Sequence, residues 1–481
     1  MEKHANRKAE TISTNGVAAD AQLLPSKLCR KQACVGIVGL GYVGLPLAVE
    51  FASTGFRTIG FDVDPDRVGR LNAGENWNDD VDDTTLQRVV EDETLVAETD
   101  FDRAGEVDVF FVCVPTPLDE HKQPDTSYIE EATRSIAEHI RPGHLIILKS
   151  TTYPGTTEEV MLPILKEAAE DNDLECGRDY FLAFSPERID PGNDEYTTAN
   201  TPIVVGGITE TGTEIAELAM QQIVGQVHTV SSPKVAEMEK LLENIFRSVN
   251  IALVNELAQL CDRMGDISMW EVVEAAATKP FGFMPFHPGP GLGGHCIPVD
   301  PHYLSWLARR HDFETSFITL SAQVNEQMPF YVANAVVEAI AEQPTRLRDA
   351  EVLVLGVAFK KNVDDTRHSP ARTVIRLLRE KGIEQIHFAD PHVEELSVGT
   401  KNGDSIEVPR VEVTEDVLED HDVAVLLTDH DDFPYETISN HATAIIDARN
   451  GFEDAADEND VWLLGGGENG TESWESRQVK S

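Results

Sequence analysis

Residues 33–44 read ACVGIVGLGYVG, and this stretch decides the fold. Its first six residues, Ala33 to Val38, form an apolar run of the length typical of a buried strand. Glycines at positions 39, 41 and 44 follow at once, and a helical pattern continues over Leu45 to Ser53. A strand, a G-x-G-x-x-G turn and a helix in this order predict the opening unit of a parallel, doubly wound α/β sheet.

The second strand of this unit is predicted at residues 57–61 and ends at Asp62, about 20 residues after the glycines. An acidic side chain there accepts hydrogen bonds from the adenosine ribose and disfavours a 2′-phosphate. The pattern therefore predicts NAD rather than NADP, with the pyrophosphate at the N-terminal end of the helix. Arg67 is expected either to cover the adenine or phosphates or to be a solvated helix residue. The predicted cofactor-binding residues of this unit are Gly39, Gly41, Tyr42, Val43, Gly44, Asp62 and Arg67.

Two further loops follow strong apolar strands. Val114-Pro115-Thr116-Pro117 comes after one strand, and Lys149-Ser150-Thr151-Thr152 comes after another. Loops at the carboxyl ends of parallel strands form the ligand-binding edge of open α/β sheets. We expect Pro115, Thr116 and Ser150 to contact the cofactor, and the alternative for each residue is ordinary turn chemistry.

Strand signals alternate with helical signals on both sides of a purely helical stretch, in which one helical pattern runs from residue 235 to residue 264. So long a helix often joins domains or builds a dimer interface. The pattern predicts an α/β protein with two Rossmann-like, doubly wound domains joined by a helical region. The predicted bounds are a disordered leader at 1–31, an NAD-binding domain at 32–228, a helical central domain at 229–345, a second Rossmann-like domain at 346–463 and a disordered tail at 464–481.

Composition restricts the partners and the compartment. The 481 residues include 85 acidic and 39 basic side chains, for a formal net charge of −46. Such a surface repels nucleic acid and anionic membranes. No apolar run approaches the roughly 20 residues that span a bilayer. Six cysteines without a CxxC pair or metal-ligand spacing fit a reducing cytoplasm. Because the acidic residues are spread along the chain, we expect adaptation to a high-salt cytoplasm; acidic tails are the alternative.

Residues 288–300, PGPGLGGHCIPVD, hold the strongest candidate nucleophile. Four glycines in six residues leave backbone amides bare and allow a ligand to approach closely. Most free cysteines are inert core residues, and this is the expectation for Cys34, Cys113 and Cys261. Cys296 instead ends the glycine loop and is expected to face the ligand. His295 is expected to have a structural role in the loop.

Eight segments together resemble the UDP-glucose/GDP-mannose dehydrogenase family. They are GLGYVGLPLA, FDVD, VPTPLD, KSTTYPGTTEE, SPERIDPGN, EMEKLLENIFRSVNIALVNELA, GPGLGGHCIPVDP and LGVAFKKNVDDTRHSP, in order between about residues 33 and 452. The resemblance implies an NAD-binding Rossmann domain, a helical dimerisation region and a C-terminal UDP-binding domain. It also implies a homodimer or higher homo-oligomer, and uronic acid formation for polysaccharide biosynthesis.

The resemblance assigns roles to particular residues. Cys296 matches the family's thiolate nucleophile, and Asp300 its acid/base partner. Lys240 and Asn244 match the pair that binds the oxyanion or a water, and their i, i+4 spacing places them on one helical face. Glu187 matches a catalytic-loop glutamate, and Thr151 a hydroxyl that positions water. The remaining matches are Arg367 to the cofactor-binding set and Arg188, Gly291, Gly293, Gly294 and Lys360 to the substrate-binding set.

The implied reaction is an NAD-dependent, four-electron oxidation of a sugar CH2OH to a carboxylate through a thioester on Cys296. Two departures bear on the sugar: Pro191 stands where UDP-glucose dehydrogenases carry a second glutamate, and residues 278–283 lack their arginine. In both features the chain resembles the branch of the family that oxidises UDP-N-acetylhexosamines, and UDP-GlcNAc is the expected substrate. Alternatives are UDP-ManNAc, UDP-glucose, a single-step hydroxyacid-type dehydrogenase and a non-catalytic nucleotide-sugar binder.

Overall fold

Two parallel sheets, each with its own hydrophobic core, organise the chain in a computed structural model. The structure describes residues 16–78, 80–119, 121, 123–170, 172–188, 196–294, 297, 299–400, 403–452 and 461–467. The chain divides into two compact units. The first comprises Met1–Glu243 with His302–Phe313, and the second comprises Asn244–Pro301 with Glu314–Ser481.

The first unit is built on an eight-stranded sheet with the order β3-β2-β1-β4-β5-β6-β7-β8. All neighbouring strands pair in parallel except β6 and β7. The central strands are buried along their whole length, which explains why they appear in the sequence as continuous apolar runs. The strands are β1 Cys34–Val38, β2 Arg57–Phe61, β3 Leu95–Glu98, β4 Val109–Val112, β5 Leu145–Leu148, β6 Phe181–Phe184, β7 Ile203–Gly207 and β8 Val227–Thr229.

Local signals explain where several helices of this unit begin. Asp64 accepts hydrogen bonds from the backbone N–H groups of Asp66 and Arg67, and Pro65 occupies the first helical turn, where its missing N–H costs nothing. Thr209 caps a later helix through the N–H of Gly212. The helices are Leu24–Cys29, Gly44–Ser53, Pro65–Asn72, Asp83–Glu91, Ser127–Ala137, Leu162–Glu170 and Glu210–Met220, with short 3-10 turns at Ala21–Leu23 and Ala104–Glu106 and a π-helical turn at Thr157–Met161.

The prediction of a disordered leader at 1–31 is wrong for its second half. Residues 1–15 lie outside the described part, but the helix Leu24–Cys29 packs into the first core with Ala21, Leu24 and Leu28 at 1% exposure or less. Lys27 also pairs with Asp108, with 2.8 Å between Nζ and Oδ1. The apolar spacing of this helix covers only two turns, which is too short for periodicity to reveal, and tertiary burial rather than local propensity stabilises it.

The second unit contains a five-stranded, all-parallel sheet with the order β10-β9-β13-β14-β15 and a separate antiparallel hairpin, β11-β12. The predicted second α/β part is therefore confirmed as a Rossmann-like sheet. Its strands are β9 Glu351–Leu355, β10 Gln385–Ala389, β11 Leu396–Gly399, β12 Ser405–Val408, β13 Val423–Leu426, β14 Ile445–Asp447 and β15 Val461–Leu463.

The predicted helical stretch is a 32-residue helix, Pro233–Met264, that begins in the first unit and ends in the second. Further helices of the second unit are Met269–Ala277, Ser316–Ala341, Pro370–Glu380, Glu415–Asp420 and Tyr435–His441, with a 3-10 turn at Leu347–Asp349; the helix Asp300–Arg309 begins there and ends in the first unit. Among the described residues, no helix combines the length and apolarity needed to cross a membrane. The domain bounds given above remain predictions, and the described part of the predicted tail, residues 464–467, lies partly in an ordered turn.

Candidate active site

The three glycines after β1 have different surroundings. Gly39 has a φ of +90°, and a Cβ on it would lie 2.7 Å from the backbone oxygen of Cys113. A Cβ on Gly44 would lie 1.8 Å from the oxygen of Gly39. Gly41 has open space on the corresponding side, with nothing within 4 Å. Gly39 and Gly44 are thus required by the packing of the turn, whereas Gly41 keeps a backbone surface clear, as a pyrophosphate at a helix N-terminus requires.

Asp62 follows β2 and is 8% exposed. Its Oδ2 accepts a 2.7 Å hydrogen bond from the N–H of Leu40 in the glycine turn, and its Oδ1 accepts one from Asp64. The guanidinium of Arg67 donates to the same carboxylate at 3.0 Å. The structure thereby places Asp62 beside the glycine turn, where an acceptor for ribose hydroxyls is needed. This geometry fits NAD, and contact of Arg67 with the cofactor remains a prediction.

The loops after β4 and β5 lie together at the carboxyl edge of the first sheet. The hydroxyl of Thr116 donates to the carbonyl of Thr151 at 2.8 Å, and that of Ser150 donates to the carbonyl of Val114 at 2.7 Å. The Tyr303 hydroxyl donates to the carbonyl of Thr116. Pro115, Thr116 and Ser150, the residues of these loops that are predicted to contact the cofactor, therefore lie at one edge of the sheet. Tyr42 and Val43 belong to the glycine turn after β1.

Lys149 was missed as a functional candidate although it ends the apolar run of β5. Its side chain is 1% exposed, and its Nζ lies 3.2 Å from Oε2 of Glu187 and 3.1 Å from the carbonyl oxygen of Pro186. A buried ammonium requires such a partner, because burial without one strongly disfavours the charged form. Lys149 therefore fixes the orientation of Glu187, the predicted catalytic-loop glutamate. A charged residue directly after a buried strand was the available signal.

Arg188 is held by the long helix. Its guanidinium pairs with Glu239 and, at 2.7 Å, with Glu243, and it donates to the carbonyl of Pro202 at 2.8 Å. Burial and then the neighbouring Glu243 raise the pKa of Glu239 to about 7, although the pairing with Arg188 opposes the shift. The Arg188 guanidinium is thus already paired with two glutamates, and its contact with the substrate remains a prediction.

Glu237 ties the loop after β5 to the long helix. The side chain is fully buried, and its carboxylate accepts hydrogen bonds from the N–H groups of Gly155 and Thr157 and from the Thr157 hydroxyl at 2.7 Å. Lys240 lies one helical turn after the anchoring position Glu237. Glu237 thus sets the position of this turn of the helix relative to the loop that contains Thr151.

Lys240 and Asn244 are one turn apart on the same helix and are 7% and 1% exposed. Nδ2 of Asn244 donates to Oδ2 of Asp300, which is 2% exposed. Arg247 donates to the amide oxygen of Asn244 at 2.7 Å. This second contact orients the amide so that its NH2 group faces Asp300. The structure therefore brings Asn244 and Asp300, two of the predicted catalytic residues, into direct contact.

The glycine loop packs against the loop that follows β9. A Cβ on Gly293 would lie 2.7 Å from Cβ of Phe359, and one on Gly294 would lie 3.0 Å from the same ring. Gly294 has a φ of +83° and Gly291 a φ of +132°. These glycines are therefore needed for close packing and for backbone conformation. Cys296 and His295 lie outside the described residues.

The loop after β9 contains Lys360, predicted to bind the substrate, and Arg367, predicted to bind the cofactor. Arg367 forms a two-pronged pair with Asp365, at 3.0 Å from Nε and 2.8 Å from Nη2, and Lys360 is half-buried. The loop is braced by a residue that the sequence did not indicate. Nδ1 of His430, a fully buried side chain, accepts the backbone N–H of Asn362 at 2.9 Å.

The tautomer of His430 follows from its two partners. Because Nδ1 accepts a hydrogen bond from a backbone amide, Nε2 carries the hydrogen and donates to Oδ2 of Asp390 at 3.1 Å. Asp390 also accepts the N–H groups of Val357 and Ala358, directly after β9. Burial is the largest single influence on the pKa of Asp390 and raises it, but hydrogen bonds from His430 and from the Val357 and His392 amides outweigh burial, so the pKa is lowered from its ordinary value. His430 thus holds the loop of Lys360 and Arg367 through its backbone.

Comparison with known proteins assigns the family. Three models of the UDP-glucose/GDP-mannose dehydrogenase family match the chain in order: the NAD binding domain at residues 33–224, the central domain at 234–327 and the UDP binding domain at 353–454. A UDP-N-acetyl-D-glucosamine 6-dehydrogenase of Pseudomonas aeruginosa is 39% identical over 75% of this chain and 83% of its own length. A UDP-N-acetyl-D-mannosamine dehydrogenase of Pyrococcus horikoshii is 35% identical over 86% of this chain and 95% of its own.

Solved structures agree with this assignment. A UDP-D-ManNAc dehydrogenase from Pyrococcus horikoshii superimposes with a TM-score of 0.80 at 32% identity, covering 90% of this chain and 100% of that one. A UDP-glucose dehydrogenase from Pyrobaculum islandicum gives a TM-score of 0.77 at 27% identity, covering 90% and 98%. The predicted fold, the NAD cofactor and the enzyme class are thereby confirmed: the chain belongs to the UDP-glucose/GDP-mannose dehydrogenase family of NAD-dependent nucleotide-sugar dehydrogenases.

Proposed function

We propose that the protein oxidises the C6 hydroxymethyl group of a UDP-N-acetylhexosamine, UDP-GlcNAc, to the carboxylate through a thioester on Cys296. The contact between the Asn244 amide and the Asp300 carboxylate is the observation that carries the catalytic part of the proposal. The uronate product would serve polysaccharide biosynthesis.

The choice of sugar rests on sequence. Pro191, which lies outside the described residues, and residues 278–283 depart from the pattern of UDP-glucose dehydrogenases. The relative with 39% identity acts on UDP-GlcNAc. A relative with 35% identity acts on UDP-ManNAc, which makes this C2 epimer the principal competitor.

Lys240 and Asn244 are proposed to stabilise negative charge on the sugar C6 oxygen. An ammonium and an amide N–H from one helical face, both buried, are donors that need no reorganisation when charge develops. The Asn244 amide is already oriented by Arg247. Removing one donor of this kind costs about 10²–10³ in kcat in well-studied cases.

Cys296 is proposed to add to the C6 aldehyde, so that the intermediate stays covalently attached until the second oxidation has produced the thioester. Asp300, Glu187 and Thr151 are proposed to position the water that hydrolyses it. Lys149 acts on this set indirectly, by holding the Glu187 carboxylate at 3.2 Å from its Nζ.

NAD+, when bound, accepts the hydride that leaves C6 in each oxidation. The residues proposed to hold it are Gly39, Gly41 and Gly44 at the pyrophosphate and Asp62 at the ribose. Thr116 and Ser150 are proposed to line its nicotinamide end. Their side-chain oxygens can each accept a further hydrogen bond while donating to the carbonyls described above.

The experiment for the sugar compares initial rates with UDP-GlcNAc, UDP-ManNAc, UDP-glucose and GDP-mannose in molar KCl. We expect the largest kcat/KM with UDP-GlcNAc. A preference for UDP-ManNAc or UDP-glucose would reassign the branch while leaving the reaction type intact. No NADH from any of the four sugars would remove the proposed function itself and favour a non-catalytic binder.

We also propose a homodimer in a salt-rich cytoplasm. The long helix leaves Leu242, Leu253 and Leu260 from 48% to 62% exposed, and a partner copy would bury such side chains. Light scattering coupled to size exclusion in molar KCl gives the oligomeric state, and a monomeric mass would contradict the dimer.

A further inference from the structure

Two histidines and a glutamate meet near the amino edge of the second sheet, at the end opposite the loop of Lys360. Glu351 is the first residue of β9, His387 the third of β10, and His421 lies two positions before β13. Because β9 lies between β10 and β13, these residues come from three adjacent parts of the sheet. One ligand atom from each side chain lies within 4.8 Å of the others. We call these three residues the histidine cluster.

The tautomer of His421 leaves a lone pair directed into the cluster. Its Nδ1 lies 2.6 Å from the carbonyl oxygen of Val417, which can only accept, so Nδ1 carries the hydrogen. Nε2 is therefore an acceptor, and it lies 2.8 Å from Nδ1 of His387. Imidazoles that bind metals typically donate their second N–H to a backbone carbonyl in this way, which fixes the ring orientation.

The cluster is largely shielded from solvent. His421 is 5% exposed, and His387 and Glu351 are half-buried. Burial, followed by the neighbouring His421, lowers the pKa of His387 from its ordinary value, while Glu351 opposes the shift. The hydrogen that His387 Nδ1 shares with His421 can move to Nε2 of the same ring, which leaves Nδ1 with a lone pair for a metal.

The donor set selects a class of ion. Two imidazole nitrogens and one carboxylate oxygen suit Zn2+ and neighbouring transition metals, whereas Mg2+ and Ca2+ prefer oxygen donors. Zn–N bonds of about 2.0–2.1 Å at a tetrahedral angle require roughly 3.3 Å between the nitrogens. The rings must therefore separate by a few tenths of an ångström from their present 2.8 Å. We propose that Glu351, His387 and His421 bind a Zn2+-like divalent transition metal, with water in the remaining position, and so join β9, β10 and the segment before β13.

The test uses untagged, full-length protein stripped with a chelator and returned to molar KCl. Co2+ is titrated first, followed by Zn2+, with visible absorption and melting temperature as readouts. We expect one Co2+ per chain, a tetrahedral d–d spectrum without thiolate charge-transfer bands, displacement by Zn2+ and a higher melting temperature with metal. Thiolate bands would place the metal on a cysteine and overturn the proposal.

Variants locate the site. His421→Gln and His387→Gln are expected to weaken Co2+ binding on the order of 100-fold, and Glu351→Gln at least tenfold. Should a buried histidine variant fail to fold, Glu351→Gln decides alone. The matched control is His441→Gln, because His441 also lies near two glutamates, at 3.0 Å from Glu419 and 3.8 Å from Glu415. Unchanged binding in the cluster variants, loss in the control, or no binding by the wild type would mean that the cluster is only a hydrogen-bonded pair.

Discussion

Alanine at two neighbouring glycines separates packing from cofactor binding. The changes are Gly41→Ala and Gly44→Ala, three positions apart in the same turn. In the structure a Cβ at position 44 meets the oxygen of Gly39 at 1.8 Å, whereas a Cβ at position 41 meets nothing within 4 Å. The two variants add the same methyl group, so any difference between them comes from its surroundings.

The structure also sets the expected magnitudes. Real Cβ atoms do not approach other atoms closer than 3.0 Å, so Gly44→Ala forces the backbone oxygen of Gly39 to move by more than 1 Å. Overpacking typically costs about 1–3 kcal/mol, and a clash with backbone rather than with a flexible side chain belongs at the upper end. At about 2–4 °C per kcal/mol, the melting temperature should fall by roughly 5–10 °C. Gly41 does not have a positive φ, so Gly41→Ala should change stability by no more than about 1 kcal/mol.

Gly41→Ala, which should barely change stability, should instead weaken NAD binding. A methyl group in the space that the pyrophosphate approaches should raise the KM for NAD at least tenfold, or about 1.4 kcal/mol. The assay is melting temperature with and without NAD, together with the KM for NAD at saturating sugar nucleotide, in molar KCl. A Gly41→Ala protein with wild-type NAD affinity, or a Gly44→Ala protein with wild-type stability, would refute the reasoning.

Four further outcomes are expected. Cys296→Ser should abolish formation of the acid product, whereas the wild type should yield two NADH per sugar and the control variant Cys29→Ser should retain activity. An unaffected Cys296→Ser enzyme would indicate a single-step dehydrogenase. The melting temperature should rise steeply between dilute buffer and molar KCl, because the Debye length falls from about 30 Å at 0.01 M to about 3 Å at 1 M. The rise should persist in the Cys296→Ala variant, and a melting temperature that does not change with salt would contradict adaptation to salt. Burial lowers the pKa of His144 to about 3. Below about pH 6.5 the unfolded chain binds a proton at His144 that the folded chain does not, so the free energy of unfolding should fall by up to about 1.4 kcal/mol per pH unit. His144→Phe, whose ring would lie beside the edge-on ring of Phe110, should weaken this acid-side loss of stability in denaturant unfolding measured over a series of pH values. His430→Phe should raise the KM for the UDP-sugar without changing that for NAD, with partial rescue by His430→Gln, and equal changes in both constants would indicate a general folding defect.

Most strands of the two sheets could be predicted from the sequence, because strands buried on both faces are continuous apolar runs. β1 and β2 were located to within one residue. Strands such as β3 and β8, with partly exposed faces, lack such runs and were not identified. The antiparallel pairing of β7 with β6 joins segments that are distant from any local sequence signal, so the apolar pattern of β7 does not indicate its direction.

The roles of Lys240, Asn244 and Asp300 were implied by the family resemblance and remain predictions, whereas the glycine turn was predictable from the type and spacing of its residues. Lys149, Glu237 and His430 were not predictable, because each acts across a long separation in sequence. The partners of Glu237, for instance, are 80 and 82 residues away. Such residues become recognisable only when burial shows that a charged or polar group must have a specific partner.

The acidic residues that follow the second strand of each parallel sheet show how two copies of one architecture can come to differ. Asp62 and Asp390 both accept hydrogen bonds from amides in the turn after the first strand. Asp62, however, accepts the Leu40 amide and the half-buried Arg67 guanidinium on Oδ2 and a single amide on Oδ1, which leaves acceptor capacity on Oδ1 for an incoming hydroxyl. Asp390 is committed on both oxygens to four amides and a buried imidazole. Asp390 thus stiffens the turn after β9, whereas Asp62 keeps an acceptor available for the ribose of the proposed NAD site.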